Sequence, residues 1–198
     1  IGTDRGGLNR YDRKNDRFVR YGKDLNNGTG LSSNKVLCLY QDKIGILWLG
    51  TTNGLNRFDP ENRRFTSYGS RELLPYNNIH SILEDNHLNL WIGTLRGLVK
   101  FNRKDHSFKI YNISDGLQGI EFNINSSFKS RTGEMFFGGT RGFNAFVPRH
   151  LFGNVHAPPI ALTDFQVFNR PVPIGPLPDG RVILDRTITY ADKVELLY

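Results

Sequence analysis

The chain has 198 residues, of which 38% are hydrophobic and 12% aromatic, so it can form a buried core and is not intrinsically disordered. Its net charge is +7, but the 26 basic residues are spread along the chain and interleaved with 19 acidic ones. Nucleic-acid-binding domains concentrate basic residues on one face or in a tail, so we expect a generally basic surface and no nucleic-acid partner. No run of about 18 apolar residues occurs, so we expect no membrane contact by this segment.

One phrase recurs along the chain in three close copies and a fourth, weaker one. The copies are IGTDRGGLNRYD (1–12), LWLGTTNGLNRFD (47–59), LWIGTLRGLVKFN (90–102) and MFFGGTRGFNAF (135–146). Their leading glycines are separated by 48, 43 and 45 residues, a period typical of β-propeller blades. The chain begins inside the first copy, so we expect it to be a piece of a longer protein.

Each repeat reads as up to four short strands rich in β-branched and aromatic residues and bounded by Gly, Pro, Asn and Asp. We predict an all-β fold, a partial β-propeller of about three and a half four-stranded blades. The predicted propeller domain is 1–156, with a partial blade at 1–22 and further blades at 30–69, 74–112 and 116–148.

The turns within the blades carry specific predictions. Gly54, Gly97 and Gly142 follow short turns and should adopt positive φ, where other residues meet a steric penalty. The first copy has Gly6-Gly7, so its turn should be one residue longer. The Asp-x-x-Gly turn at 42–45 becomes Asp-x-x-Leu at 85–88. Leu is poor at positive φ, so we predict that the following asparagine takes that role and shifts the turn by one residue.

The repeat stops after residue 148, and residues 153–178 hold six of the nine prolines. An alternating apolar pattern predicts one strand at about 160–169. We therefore predict a second domain at 157–198.

Motifs for catalysis, metal binding or cofactor binding are absent from the sequence. It has no glycine-rich nucleotide loop, no Cys-x-x-Cys and no His-x-x-x-His, and its five histidines form no visible cluster. The Asp-x-x-Gly turn has too few oxygen ligands for a calcium loop. Cys38 alternates with Leu37 and Leu39 and is interpreted as a small buried hydrophobic residue. We expect no catalytic residues, no metal and no cofactor.

The large aromatic residues Trp48, Trp91 and Phe136 occupy one position of the repeat. Recurrence in every blade favours packing between adjacent blades, because a ligand site rarely needs every blade to be alike. A platform for stacking sugar rings is the alternative.

A second repeated position is polar and variable. The residues before the turn glycines are Arg5, Asn53, Arg96 and Arg141. The connections between blades, one of which carries Tyr76, should lie on the same face as these residues. Such side chains bind hydroxyls and carboxylates, which predicts a ligand-binding rim. The alternative is that Arg and Asn are simply common in exposed turns.

Residues 34–112 contain the motif run N-x-V/I…D-x-x-G-x-L-W-I-G-T-x-x-G-L-x-x-F-D…F-x-x-Y. This motif run resembles the two-component regulator propeller repeats. Residues 116–148 look like the last blade before the Ig-like, tyrosine-named domain of the same proteins, and 157–198 look like the start of that β-sandwich. The resemblance implies a periplasmic sensor of a hybrid two-component histidine kinase. It also implies a glycan-derived oligosaccharide as ligand and other domains of the same protein as partners.

Two other functions stay open. One is a protein-interaction or dimerisation scaffold, because an incomplete ring exposes strand edges and could pair as a homodimer. The other is an enzyme of the streptogramin lyase type, which shares a similar repeat; no His/Glu pair or metal cluster supports it. We expect this segment not to be an enzyme.

Overall fold

The computed structural model describes residues 1–23, 30–69, 77–151, 164–167, 169–185 and 188. The chain divides into two compact units, Ile1–Leu151 and Phe152–Tyr198. The described residues include two 3₁₀ turns, Ile113–Asp115 and Pro148–His150, and no α-helix. None of the described helices is long and apolar enough to cross a membrane.

The first unit consists of four antiparallel sheets, one for each copy of the repeat. The first blade has β1 (Leu8–Asp12) and β2 (Arg17–Tyr21), extended by a bridge between Gly2 and Leu8. The second blade has β3 (Val36–Gln41), β4 (Leu47–Thr51), β5 (Gly54–Asp59) and β6 (Arg64–Tyr68). The third has β7 (Ile79–Glu84), β8 (Leu90–Thr94), β9 (Gly97–Phe101) and β10 (Phe108–Tyr111), and the fourth has β11 (Phe122–Lys129), β12 (Met135–Gly139) and β13 (Gly142–Phe146).

Strands within each sheet are paired in chain order, as in a propeller blade. The first strands of the second, third and fourth blades, β3, β7 and β11, contact one another and form the inner wall of the unit. The predicted all-β fold and partial propeller are confirmed.

The core lies between the blades, in three apolar clusters that match the three blade-to-blade contacts. Cys38 belongs to the cluster between the second and third blades and is buried, as predicted, which raises the pKa of its thiol to about 12. The other two clusters join the first blade to the second and the third to the fourth. Face-to-face packing of sheets therefore supplies the apolar burial that holds the unit together.

The repeated tryptophans lie in these clusters. Trp48 is 2% exposed and its ring centroid lies 6.1 Å from that of Phe101 in the next blade. Trp91 is fully buried and lies 4.9 Å from Phe146 in the fourth blade. Packing between blades is therefore confirmed for both tryptophans, and stacking on a sugar ring is excluded by their burial. Phe136, in the last blade, is only half-buried.

Each tryptophan is also anchored by the aspartate six residues before it. Trp48 Nε1 donates to Asp42 Oδ2 at 2.8 Å, and Trp91 Nε1 donates to Asp85 Oδ2 at 3.0 Å. Burial raises the pKa of Asp85, but hydrogen bonds donated by the Asn89 amide and the Trp91 indole outweigh it, and the pKa lies below its ordinary value. These hydrogen bonds satisfy buried indole N–H groups that would otherwise be costly.

The predicted glycine conformations are confirmed, with φ of 109° at Gly54, 126° at Gly97 and 114° at Gly142. The predicted shift of the 85–88 turn is wrong: Leu88 itself has φ of 67°, and Asn89 does not have positive φ. Asp85 Oδ1 accepts from His87 N at 2.8 Å and from Asn89 N at 2.9 Å. The aspartate therefore fixes the turn in the same register as the Asp42 turn, and Leu88 accepts the strain.

A buried ion cluster joins the second blade to the third. Arg103 Nη1 lies 3.1 Å from Asp42 Oδ2 and donates to Glu84 Oε1 at 2.8 Å. Both carboxylate side chains are fully buried, and the guanidinium also lies 5.4 Å from the Trp48 ring centroid. One guanidinium therefore bridges two buried carboxyl groups at this contact.

In the second unit, the described residues form a short antiparallel pair, β14 (Gln166–Val167) and β15 (Arg170–Pro171). Isolated bridges join Ile174 to Leu184 and Pro176 to Val182. β14 falls inside the strand predicted at 160–169. The assignment of residues 157–198 to an Ig-like domain stays a prediction.

Candidate functional site

The meander places two sets of loops on opposite ends of each blade. We call one end the rim face: it carries the second-to-third-strand turns at 52–53, 95–96 and 140–141 and the blade-to-blade connections at 30–35 and 112–121. The opposite end, the hairpin face, carries the first-to-second-strand turns at 42–46, 85–89 and 130–134.

A backbone hydrogen bond recurs on the rim face. In the first three blades, the N–H of the positive-φ turn glycine donates to a carbonyl of the connection that follows the blade. The pairs are Gly7 to Asn34 at 2.9 Å, Gly54 to Asn77 at 2.7 Å and Gly97 to Ile120 at 2.6 Å. We call this contact the rim clamp. It fixes each turn against the chain that leads into the next blade.

A threonine supports the turn from within. Thr51 Oγ1 donates to Gly54 O at 3.0 Å and accepts from Asn53 N at 3.0 Å. Thr94 makes the same two contacts in the third blade, to Gly97 O at 2.8 Å and from Arg96 N at 3.1 Å. The residue before the glycine is therefore held by its backbone, and its side chain is left exposed.

Arg5 does not occupy the position equivalent to Asn53, Arg96 and Arg141. The positive-φ glycine of the first copy is Gly7, and Gly6 precedes it, because this turn is one residue longer, as predicted. The Arg5 side chain is 95% exposed and its Nε lies 3.6 Å from Asp4 Oδ2. Hydrogen bonding to the Lys35 ammonium and its charge lower the pKa of the Asp4 carboxyl.

The other predicted rim residues are placed as follows. Asn53 Nδ2 donates to Ser32 O at 3.2 Å, so this side chain also ties its turn to the preceding connection. Arg96 and Arg141 are exposed and lie in turns that contact the same connection, through Ile120 and Glu121 respectively. Tyr76 lies outside the described residues.

A pocket of about 330 Å³ opens beside Arg141 on the rim face. Thr140 N donates to Glu121 O at 3.1 Å across it, and a methyl group placed on Gly119 would lie 3.5 Å from Arg141 Cδ. The aliphatic part of the Arg141 side chain therefore lies along the backbone of Gly119. A larger residue at position 119 would crowd this side chain. The pocket is lined by Ile113, Gly119, Ile120, Glu121, Thr140 and Arg141.

The pocket combines two exposed isoleucines with a guanidinium, a carboxylate and a hydroxyl. Its volume is at the lower end of the 300–1,000 Å³ usual for small-molecule sites. The sequence pattern placed Arg141 and the connection that carries Glu121 and Ile120 on the same face, but it did not single out Glu121 or Ile120 as ligand-binding, because this connection has no repeat. Within the described residues, no group of three or more His, Cys, Asp or Glu is placed to hold a metal ion.

The fold and these turns define a segment of a β-propeller with a loop-built rim. Residues 30–53 and 73–96 match the family model of the two-component regulator propeller. These two segments confirm the resemblance predicted from the sequence.

Comparison with known proteins finds similarity to a histidine kinase and to solved extracellular domains. The chain is 32% identical over 122 residues to Histidine kinase P4 of Formosa agariphila, an alignment that covers 62% of this chain and 9% of that protein. The extracellular domain of BT4673 from B. thetaiotaomicron, described in one crystal structure as part of a one-component system, has a TM-score of 0.62 and 22% identity. A second crystal structure of this extracellular domain has a TM-score of 0.56 and 18% identity. It describes BT4673 as part of a hybrid two-component system.

Each of these relatives is much longer than the chain. The matches to the two BT4673 structures cover 75% and 86% of this chain and 22% of each solved domain. At these identities the structural similarity shows the fold, a β-propeller, and the present chain spans only a small part of each relative.

Proposed function

We propose that this chain is part of the extracytoplasmic, periplasmic sensor of a hybrid two-component histidine kinase, and that its rim face binds a glycan-derived oligosaccharide. The observation that carries the proposal is the pocket beside Arg141. The similarity of the chain to a protein named as a histidine kinase supports it. The segment itself is a binding module and not an enzyme.

The pocket suits a hydroxylated ring for chemical reasons. Arg141 offers paired N–H donors, Glu121 offers acceptors, and Ile113 and Ile120 offer apolar surface for the C–H face of a sugar. A guanidinium and a carboxylate in the same pocket nearly cancel in charge, which favours neutral sugars over polyanions. Other domains of the parent protein would complete the site and transmit the signal.

Calorimetric titration of the full sensor with a panel of oligosaccharides tests the proposal. Replacing both Arg96 and Arg141 with Ala should weaken binding by tenfold or more, because a hydrogen bond to a charged group contributes about 1.5–3 kcal/mol. Arg13→Ala is the matched control, since Arg13 is exposed in the β1–β2 turn on the hairpin face. Unchanged affinity in the double variant would remove the rim as the site, and failure to bind any glycan would remove sugar sensing.

An interaction scaffold is the second candidate, favoured by the outer face of the fourth blade. Phe128 and Phe143 are 63% and 66% exposed there, and half-buried Phe136 lies between them. Exposed aromatic clusters of this kind mark association surfaces, and a second copy of the chain would bury them. Sedimentation analysis should then show a dimer that Phe128→Ser plus Phe143→Ser converts to monomer.

A further inference from the structure

A second, smaller pocket lies on the hairpin face, away from the rim. Its volume is about 60 Å³, far below what a sugar ring needs and about twice the ~30 Å³ of a water molecule in the liquid. It is lined by Asn86, His87, Thr132, Gly133, Val147, Pro148 and Arg149. None of these lining residues is acidic.

Two lysines converge on one wall of this pocket. Lys43 Nζ and Lys129 Nζ both donate to Asn86 Oδ1, at 3.4 and 3.0 Å. Lys129 Nζ also donates to the Glu84 carbonyl at 2.7 Å. Burial and the nearby charge of Lys43 lower the pKa of the Lys129 ammonium, as expected for two cations placed close together.

The lysines determine which way the Asn86 amide faces. With its oxygen occupied by two ammonium donors, its Nδ2 is turned towards Gly133, where an added methyl group would lie 3.4 Å away. Within the described residues, no acceptor is found for Asn86 Nδ2. A donor group therefore faces the pocket beside two positive charges.

The opposite side of the pocket adds further donors. Arg149 lines it, and its Nε donates to His150 Nε2 at 3.3 Å. The Thr132 hydroxyl lies 2.8 Å from the Ser130 hydroxyl in the same turn. Two buried carboxylates lie near Lys129 and could compete, Asp85 and Glu84. Asp85 already accepts from the Trp91 indole at 3.0 Å, and Glu84 accepts from Arg103 at 2.8 Å.

We propose that this pocket, formed by Asn86, Thr132 and Arg149 with Lys43 and Lys129 behind Asn86, binds a compact oxyanion, either free phosphate or sulfate or the same group esterified to a sugar. The small volume selects the size of the ligand. The amide, hydroxyl and guanidinium donors supply its hydrogen bonds, and the two ammonium groups supply the attraction. The site is separate from the rim and does not rest on the oligosaccharide proposal.

Calorimetric titration of the 198-residue chain with inorganic phosphate and inorganic sulfate, at constant ionic strength, tests this site. Asn86→Asp should weaken binding at least about tenfold, because a carboxylate would face the anion while still accepting from both lysines. Asn123→Asp is the matched control, since Asn123 is exposed on β11, outside the pocket, and the change in net charge is the same. Equal weakening by both variants, or no saturable binding of either ion, would overturn the proposal.

A second pair of variants guards against an effect on folding. Arg149→Ala should weaken binding, whereas Arg131→Ala, one residue from Thr132 but not lining the pocket, should not. Titration with glucose 6-phosphate and N-acetylglucosamine 6-sulfate, against the parent sugars, separates a free ion from an ester. Binding of the parent sugars equal to that of the esters would contradict an oxyanion site. Arg96 and Arg141 variants should bind the ions normally, which separates failure here from failure at the rim.

Discussion

Removing Arg103 should show how strongly the ion cluster holds the second and third blades together. The Arg103 guanidinium contacts Asp42 at 3.1 Å and Glu84 at 2.8 Å, and both acidic side chains are fully buried. Arg103→Ala would leave two unpaired carboxylates in a region of low dielectric constant. Asp42 would keep the Trp48 indole as a donor, and Glu84 would keep Lys43 N at 3.2 Å.

The cost follows from the burial of these groups. Breaking a buried ion pair by removing one partner destabilises proteins by about 3–5 kcal/mol. We therefore expect Arg103→Ala to lower the free energy of unfolding by about 4 kcal/mol. With a urea dependence of about 2 kcal/mol per molar, the midpoint of unfolding should fall by about 2 M.

Urea denaturation followed by circular dichroism measures this midpoint. Lys104→Ala is the matched control, because Lys104 is the adjacent exposed cation in the same turn, and its midpoint should stay near that of the parent chain. Arg103→Lys should fall between the two, since it keeps the charge but loses the planar fork. If Arg103→Ala unfolds at the same urea concentration as Lys104→Ala, the cluster does not stabilise the contact between blades.

Three further predictions concern single positions. Leu88→Gly should raise the free energy of unfolding by about 1 kcal/mol in urea melts, because the strain of the left-handed conformation at φ 67° is removed. A lower free energy of unfolding would show that the contacts of the Leu88 side chain outweigh this strain. Gly50→Ala should lower the free energy of unfolding by about 1–3 kcal/mol, since the new methyl group would lie 2.4 Å from Cys38 Sγ. Unchanged stability would contradict this and show that the neighbouring side chains move to accommodate the methyl group. Cys38 should react with iodoacetamide at pH 8 only after unfolding, because its pKa is about 12, and rapid native labelling would contradict this.

The strands and their order could be predicted because they depend on a repeated local pattern. The periodic phrase places one tryptophan strand in each unit, and the turn glycines follow from the steric penalty at positive φ. The register of the 85–88 turn could not be predicted from the propensity of Leu88 alone. There the Asp85 carboxylate, with two backbone N–H donors and the Trp91 indole, determined the geometry.

A signal for that anchor was nevertheless present in the sequence. Asp42 and Asp85 each precede a tryptophan by six residues, whereas Ser130 precedes Phe136, which has no N–H to donate. Comparison of the repeats with one another would therefore have revealed the pairing. The fourth blade lacks both the aspartate and the indole.

The candidate site was less accessible to prediction. Arg96 and Arg141 could be placed on the rim from their repeat position, but the longer first turn moved Arg5 out of it. Glu121 and Ile120 lie in a connection without a repeat, and only the fold brings them beside Arg141. The same holds for Asn86 and Arg149, which are 63 residues apart in sequence.

The rim clamp fixes the path of the turns without using the side chains that the turns expose. It uses only main-chain N–H and C=O groups, so the side chains at Asn53 and Arg96 contribute nothing to that hydrogen bond. A substitution at Arg96 can therefore alter what the surface recognises while this main-chain hydrogen bond is kept, whereas a substitution at Asn53 also removes the hydrogen bond to Ser32 O. A protein built this way can acquire a new specificity one side chain at a time, without a phase of instability between the old ligand and the new.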